Sequence, residues 1–180
     1  MVDQKKLEKA FKDIIEALGD DPNREGLIET PKRAASMFLE QFEGMNYTND
    51  ELVEMFNKSF DEDYLTDSKN IVIMKNIDIF SHCEHHLALM YDMTVDIAYI
   101  PNGRVIGLSK LARIADMVSK RLQLQERIGN DILYIVQKIT NSSDIIVRIE
   151  GCHSCVTARG VKKRSKTITV SKIGNISLED

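Results

Sequence analysis

Two short clusters contain every histidine and cysteine of this chain, and they constrain its fold more than any other feature. Three of the four histidines and one of the three cysteines lie within residues 80–86. The others are Cys152, His153 and Cys155. Imidazole nitrogen and thiolate sulfur together are the donors that zinc and similar divalent metals prefer. We therefore expect a fold in which these distant segments meet at a metal ion.

Composition indicates an ordinary globular protein. The chain has 180 residues, of which 43% are hydrophobic and 29% are charged, enough for one domain with a real core. No stretch approaches the roughly 18 apolar residues that a membrane span requires. An odd number of cysteines favours a reducing compartment over a disulfide framework. We expect a cytoplasmic protein that binds neither membranes nor nucleic acid, since its net charge is −4.

The first third of the chain, residues 1–68, is predicted to be a helical region. Apolar residues recur at helical spacing over residues 3–18. Thr30 followed by Pro31 predicts the start of a second helix that continues to about Phe42. Asp50 is a candidate cap for a shorter third helix.

Residues 69–180 have a different periodicity and are predicted to form the catalytic region. Alternating isoleucines over residues 71–79 predict a strand with one slip near Lys75, and residues 93–99 predict a second strand. Two amphipathic helices follow, the first with a cap at residues 107–109. Strands are then predicted at residues 145–150 and 167–170. This ββααββ order predicts an α+β fold, an antiparallel sheet with a helix pair on one face.

The spacing of the candidate ligands leaves two kinds of metal site open. Cys83 and His86, with Cys155 as a third ligand, would leave one coordination position for water, as in catalytic zinc sites. Zinc lowers the pKa of such a water to about 7. Adding Cys152 would complete a closed, purely structural set of four ligands.

Two further observations favour the open site. His85 and His153 remain beside the metal, where a structural site has no use for spare proton carriers. A basic segment, residues 159–166, also follows the second cluster directly. A thioredoxin-like role for Cys152 and Cys155 is disfavoured because their motif follows a strand instead of opening a helix. A zinc deaminase is disfavoured because its sequence signature is absent.

Several motifs in this order and spacing resemble the GTP cyclohydrolase I family. The similarity extends over roughly residues 7–170, and five ordered motifs together are far more specific than any one alone. The motifs are Glu29 to Arg33, Cys83 to His86, Ile106 to Arg113, Gln123 to Arg127 and His153 to Gly160.

The resemblance implies a fold, an assembly and a reaction. The fold is the tunnelling fold, whose subunit has the ββααββ order, and the assembly is a toroidal homodecamer with active sites between subunits. The reaction converts GTP and water to 7,8-dihydroneopterin triphosphate and formate, at the start of folate and pterin synthesis. One zinc ion per subunit would be held by Cys83, His86 and Cys155, which makes Cys152 a bystander.

The resemblance also implies roles for other residues. His153 would supply a proton to the departing nitrogen of the guanine ring, and His85 would be a second proton relay. Glu126 would read the guanine edge, with Gln125 beside it. We interpret His82 as structural. The expected triphosphate contacts are Ser109 as a helix cap, Lys110, Arg113, Arg159 and, from a neighbouring subunit, Arg33.

A second hypothesis belongs to another class of protein. The chain could be a zinc-stabilised oligomeric protein that holds a purine nucleotide without turning it over. Turnover of GTP, and its loss when His153 is replaced, would separate the two hypotheses.

Overall fold

A computed structural model describes residues 1–62 and 70–178. Contacts divide the chain into two compact units, Met1–Asn46 and Tyr47–Asp180. The boundary predicted between residues 68 and 69 lies outside the described residues. The third predicted helix belongs to the second unit, because this unit already begins at Tyr47.

The first unit is helical, as predicted. Asp3 caps its first helix by accepting a hydrogen bond from the Lys6 N–H at 3.1 Å. Phe11 and Phe38 pack edge to face between the two helices, with ring centroids 4.9 Å apart. The helical elements are α1 (Gln4–Ala17), α2 (Thr30–Gln41) and a 3₁₀ turn (Glu43–Asn46).

The second unit is mixed α and β, and its longer elements follow the predicted order of two strands, two helices and two strands. In chain order its elements are α3 (Asn49–Phe56), β1 (Ser59–Asp61), β2 (Val72–Cys83), β3 (Ala88–Tyr99), β4 (Arg104–Ile106), α4 (Leu108–Ser119), β5 (Leu122–Gln123), α5 (Gln125–Thr140), β6 (Ile145–His153), α6 (Ser154–Thr157) and β7 (Thr167–Ile173).

The main sheet has the strand order β5-β2-β3-β6-β7. The neighbours from β2 to β7 are antiparallel, as the sequence predicted, and the two-residue β5 pairs with β2 in parallel. A separate pair, β1 with β4, was not predicted. Strands of two or three residues are too short to carry a recognisable alternation of apolar and polar residues.

The predicted slip near Lys75 is confirmed as a β-bulge. The register of β2 on β3 shifts between Met74 and Ile77, and Asn76 has φ 57°. The Asn76 N–H donates to an Asp96 carboxylate oxygen at 2.8 Å instead of joining the ladder. An extra residue in one strand reverses which side chains face the core. Because of the bulge, the isoleucines of β2 from Ile77 onward face the core.

The core lies between the sheet and the helices α3, α4 and α5. Burying these apolar side chains is the main favourable contribution to folding. Fully or almost fully buried members include Val95, Ile97, Ile114, Val118, Ile128, Ile132, Ile135, Val147 and Ile149.

Two predicted helix caps are wrong. Thr48, not Asp50, caps α3, through a capping box in which its hydroxyl and the Glu51 carboxylate each bind the other residue's backbone N–H. Gly107 occupies the cap position of α4, and Ser109 lies inside its first turn. Ser109 therefore makes no capping hydrogen bond.

Within residues 1–62 and 70–178, every helix is too short or too polar to cross a bilayer.

Candidate metal centre

The first ligand cluster lies at the tip of the β2–β3 hairpin. Cys83 is the last residue of β2, where it pairs with Ala88 on one side and Gln123 of β5 on the other. The turn between the strands is closed by the His86 N–H, which donates to the Cys83 carbonyl at 3.3 Å. Leu87 has φ 51°, which brings the chain back into β3. This tight turn keeps Cys83 and His86 on one side of the hairpin.

The second cluster reaches the same point because β6 pairs with β3. His153, the last residue of β6, lies opposite Met90. The next residue, Ser154, donates its hydroxyl to the Leu89 carbonyl at 2.7 Å and fixes the start of α6 against β3. Cys155 follows in α6 and so lies beside the hairpin tip.

The structure brings Cys83, His86 and Cys155 together, with their ligand atoms all within 4.8 Å of one another. The Cys83 Sγ lies 3.8 Å from the His86 Nδ1. Sulfur and nitrogen ligands of one tetrahedral zinc ion are about 3.6 Å apart, given the usual bond lengths. The spacing and donor chemistry therefore fit a zinc ion.

Cys152 is not part of this group. It lies within β6, opposite Tyr91, and neighbouring residues of a strand face opposite sides of the sheet. Its position favours the three-ligand interpretation over a closed set of four. Cys152 lies inside β6, whereas Cys155 lies past the end of this strand in α6. The two cysteines are therefore separated although they are close in sequence.

The pKa of the Cys155 thiol is affected by its surroundings. Burial raises the pKa of the Cys155 thiol, and the nearby Cys83 raises it further. A bound cation favours the thiolate and reverses this tendency. The Arg159 Nη1 lies 2.7 Å from the His86 Nε2, which places a guanidinium next to the centre.

Of the two remaining histidines of the predicted site, His85 contacts the metal group and His153 contacts Gln125. The His85 Nδ1 is 3.7 Å from the Cys83 Sγ. His153 is partly buried, which lowers its pKa, while the negative charge of Glu126 acts in the opposite direction. The His153 Nε2 is 2.8 Å from the Gln125 Oε1. His82 is buried in β2 at 6% exposure and is not in the metal group, as expected for a structural residue.

Glu84 and Arg127 form an ion pair that was not predicted from the sequence. Arg127 donates to both carboxylate oxygens of Glu84, at 2.6 and 3.1 Å, and lowers the pKa of that carboxyl. Glu84 lies between Cys83 and His85, and Arg127 follows Glu126 in α5. Opposite charges within two of the five motifs were the available signal, but sequence alone cannot pair them across 43 positions.

The first turn of α4 lies away from this centre within one chain. The buried Ser81 donates its hydroxyl to the carbonyl of Ser119, the last residue of α4, at 2.7 Å, so this end of α4 adjoins β2 near Cys83. Ser109 lies ten residues earlier (119 minus 109), or about 15 Å along the helix axis. Lys110 lies in the same turn as Ser109, and Arg113 lies six residues before Ser119 (119 minus 113), or about 9 Å along the axis. Within one chain, Ser109, Lys110 and Arg113 therefore lie away from Cys83.

Arg33 and Glu126 have simpler environments. Arg33 lies on α2 in the first unit and forms an exposed ion pair with Glu29. Glu126 is exposed in the first turn of α5, where the helix dipole favours a negative charge.

Comparisons with known proteins give one consistent result. The family model described as GTP cyclohydrolase I matches residues 7–179. A GTP cyclohydrolase 1 of Clostridium acetobutylicum is 59% identical over 99% of this chain and 93% of that protein. One from Clostridium botulinum (strain Loch Maree / Type A3) is 59% identical over 99% and 92%. One from Ruminiclostridium cellulolyticum is 57% identical over 96% and 89%.

A solved structure, the archaeosine synthase QueF-Like in the apo form, was also matched. Its TM-score is 0.49 at 20% identity, over 61% of this chain and 99% of that chain. A similarity at this level carries no conclusion about the present chain.

Fold and site together define an α+β protein with a three-donor centre suited to a divalent metal at one end of an antiparallel sheet. The family match covers nearly the whole chain, and the relatives are similar over nearly their whole length. The chain belongs to the GTP cyclohydrolase I family of enzymes.

Proposed function

We propose that this chain is a zinc-dependent hydrolase that opens the imidazole ring of GTP at C8 and yields 7,8-dihydroneopterin triphosphate and formate. This reaction begins folate and pterin synthesis. Family membership supports the assignment, as do relatives named GTP cyclohydrolase 1. The observation that carries it is the convergence of Cys83, His86 and Cys155, and His153 lies two residues before Cys155 in the sequence.

Cys83, His86 and Cys155 would hold the zinc ion. Their two thiols and one imidazole are the donors that zinc prefers, and they leave a coordination position open. Zinc held by such a set supplies Lewis acidity and a hydrolytic nucleophile at neutral pH.

The histidines of the chain perform the proton transfers. Opening the ring at C8 requires a proton for the departing nitrogen, and His153 supplies it. Partial burial lowers the pKa of His153, which favours release of the proton to a substrate nitrogen. His85, next to the Cys83 thiol, acts as the second proton relay.

Glu126 selects guanine. A carboxylate accepts hydrogen bonds from N1–H and the 2-amino group together, and adenine does not offer that pair of donors. Exposure of Glu126 in the first turn of α5 leaves its carboxylate accessible to a base.

The triphosphate is held by cationic side chains from more than one copy of the chain. Arg159 belongs to the same copy as the metal centre, since it contacts His86. The first turn of α4 is about 15 Å from the end that adjoins β2, so a neighbouring copy supplies its residues. The contacts from neighbouring copies are Ser109, Lys110, Arg113 and Arg33.

This sharing of residues is consistent with the toroidal homodecamer and tunnelling fold of the family. The mixed α+β unit with its antiparallel sheet supports that assignment. Residues 1–68 would form the helical region and residues 69–180 the catalytic region. Three unpaired cysteines fit a cytoplasmic enzyme, because thiols persist in a reducing compartment.

Incubating the zinc-loaded protein with GTP tests the function. We expect the fluorescence of oxidised neopterin to appear, and to disappear when a chelator removes the metal. His153→Ala should retain the metal and lose turnover by about 10²-fold or more. A zinc-loaded wild-type protein that binds GTP without forming a fluorescent product would overturn the proposal and favour a nucleotide-binding protein.

A further inference from the structure

Gln125 is a buried polar side chain with every polar atom engaged. It is 2% exposed at the start of α5. Its amide nitrogen donates to the carbonyl oxygens of Ile149 and Thr167, at 3.1 and 3.0 Å, and to the Thr169 hydroxyl at 3.3 Å. Its amide oxygen lies 2.8 Å from the His153 Nε2. Its amide hydrogens are therefore taken up by the two strands, and its amide oxygen faces the imidazole.

These contacts determine which way the amide faces. Carbonyl oxygens only accept hydrogen bonds, so the group that faces Ile149 and Thr167 must be the NH₂ of Gln125. The group that faces His153 is therefore the amide oxygen, which also only accepts. The His153 Nε2 must consequently carry a hydrogen, and in the neutral ring the lone pair lies on Nδ1.

We propose that Gln125 is a positioning residue that holds His153 as the Nε2–H tautomer and leaves Nδ1 as the ring nitrogen available for proton transfer. The role of His153 in turnover rests on the proposed function, whereas the tautomer rests on the hydrogen bonds alone. The sequence resemblance placed Gln125 beside guanine, whereas the hydrogen bonds of its side chain assign it a contact with His153.

The anchoring also fixes the ring in space. Ile149 lies on β6 and Thr167 and Thr169 lie on β7, so Gln125 is tied to two neighbouring strands. His153 is at the end of β6, and Glu126 follows Gln125 in α5. One buried amide therefore holds both the imidazole and the start of the helix that carries Glu126. Holding a catalytic group rigidly in the reactive geometry accounts for a large part of the rate enhancement of many enzymes.

Histidine labelling tests the tautomer directly. Only four histidines are present, so a zinc-loaded sample with ¹⁵N-labelled histidine gives few ring signals, and His153→Ala identifies those of His153. We expect a protonated Nε2 and an unprotonated Nδ1 in the wild type, and a mixture of tautomers in Gln125→Met. Gln125→Glu keeps an oxygen acceptor and should retain the Nε2–H form. A protonated Nδ1 in the wild type would overturn the proposal.

Kinetics separates positioning from substrate contact. Gln125→Met should lower kcat roughly 10- to 100-fold, part of the usual contribution of a proton donor, with KM for GTP changed less than about threefold. A raised KM with unchanged kcat would make Gln125 a substrate contact and overturn the proposal. Thr169→Val removes only the longest of the anchoring contacts and should keep the Nε2–H tautomer.

The two proposals fail in different ways. If the wild type does not turn over GTP, the proposed function fails, and the ¹⁵N spectra still decide the tautomer. If the wild type is active and the Gln125→Met spectrum is identical to that of the wild type, positioning by Gln125 fails alone. Thermal unfolding of each variant shows whether the fold is retained.

Discussion

Glu84 and Arg127 form an ion pair with two hydrogen bonds, which joins the turn of the metal centre to the first turn of α5. The Glu84 N–H also donates to the Gln123 carbonyl at 3.1 Å, so the turn is fixed to β5 as well. Cys83 immediately precedes Glu84 in this turn, and His86 follows two residues after it. The pair therefore restrains the backbone that carries two of the three candidate ligands.

Glu84→Gln should weaken metal binding more than it weakens folding. Both side chains are partly exposed, at 30% and 44%, so the pair contributes little to the free energy of unfolding. Loss of the restraint should raise the zinc dissociation constant roughly tenfold, the lower end of the effect of groups that orient ligands. Competition with a chromophoric chelator measures this constant.

Arg127→Gln is the matched control for that experiment. If the ion pair is the restraint, both single variants weaken zinc binding equally, and the double variant is no worse than either. Additive losses in the double variant would mean that the two side chains act independently.

The two cysteines of the second cluster should differ in their effect on bound zinc. Cys155→Ser should reduce the metal content from about one ion per chain to almost none, because three ligands become two. Cys152→Ser makes the same replacement of sulfur by oxygen three positions earlier, and this variant should retain its full metal content. Elemental analysis after gel filtration measures both, and metal loss in Cys152→Ser would contradict the three-ligand centre.

Two glycines with positive φ should respond differently to alanine. Gly160, at φ 61°, has open space where the methyl group of an alanine would lie, so Gly160→Ala should cost only the left-handed strain of about 1 kcal/mol. At Gly174, φ 70°, a Cβ would collide with the Asp144 carboxylate and the Ser143 carbonyl. Gly174→Ala should therefore cost about 2–4 kcal/mol. Urea unfolding compares them, and equal losses would contradict the crowding at Gly174.

Glu150 should contribute stability only above its own titration range. Lys166, first, and Arg148 hold the pKa of this carboxyl below its ordinary value of 4.5. The unfolded chain then binds the proton more readily, so this contribution is present above the ordinary value and is lost as pH falls through the lowered one.

The difference in unfolding midpoint between the wild type and Glu150→Gln should therefore shrink as pH falls from about 6 to about 3. Glu54→Gln is the control, because this exposed carboxylate has no ion pair among the described residues. A difference for Glu150→Gln that is constant over this range would exclude the ion pairs as its source.

The sequence was sufficient to predict the features that depend on a local pattern of residue types. The alternation of isoleucines predicted β2 and its slip near Lys75, and the bulge at Asn76 confirms that slip. Clustering of histidines and cysteines predicted that Cys83, His86 and Cys155 would meet, and their donor atoms do lie together.

Features that depend on distant neighbours could not be predicted in this way. Gln125 is adjacent to the exposed Glu126 in sequence. It is nevertheless buried, because its amide nitrogen donates to carbonyl oxygens on β6 and β7. The cap of α4 was misplaced because a serine is the more common capping residue, whereas Gly107 takes that position here. The hydrogen bond that shows which end of α4 adjoins Cys83 joins two residues distant in sequence, Ser81 and Ser119.

The direction of α4 has a genetic consequence under the proposed function. A chain that lacks Cys83 and a chain that lacks Arg113 are each inactive alone, but they damage different halves of a shared site. Assembled together, they would rebuild some intact sites at the boundaries between unlike subunits. Two defective alleles would then complement each other in one cell.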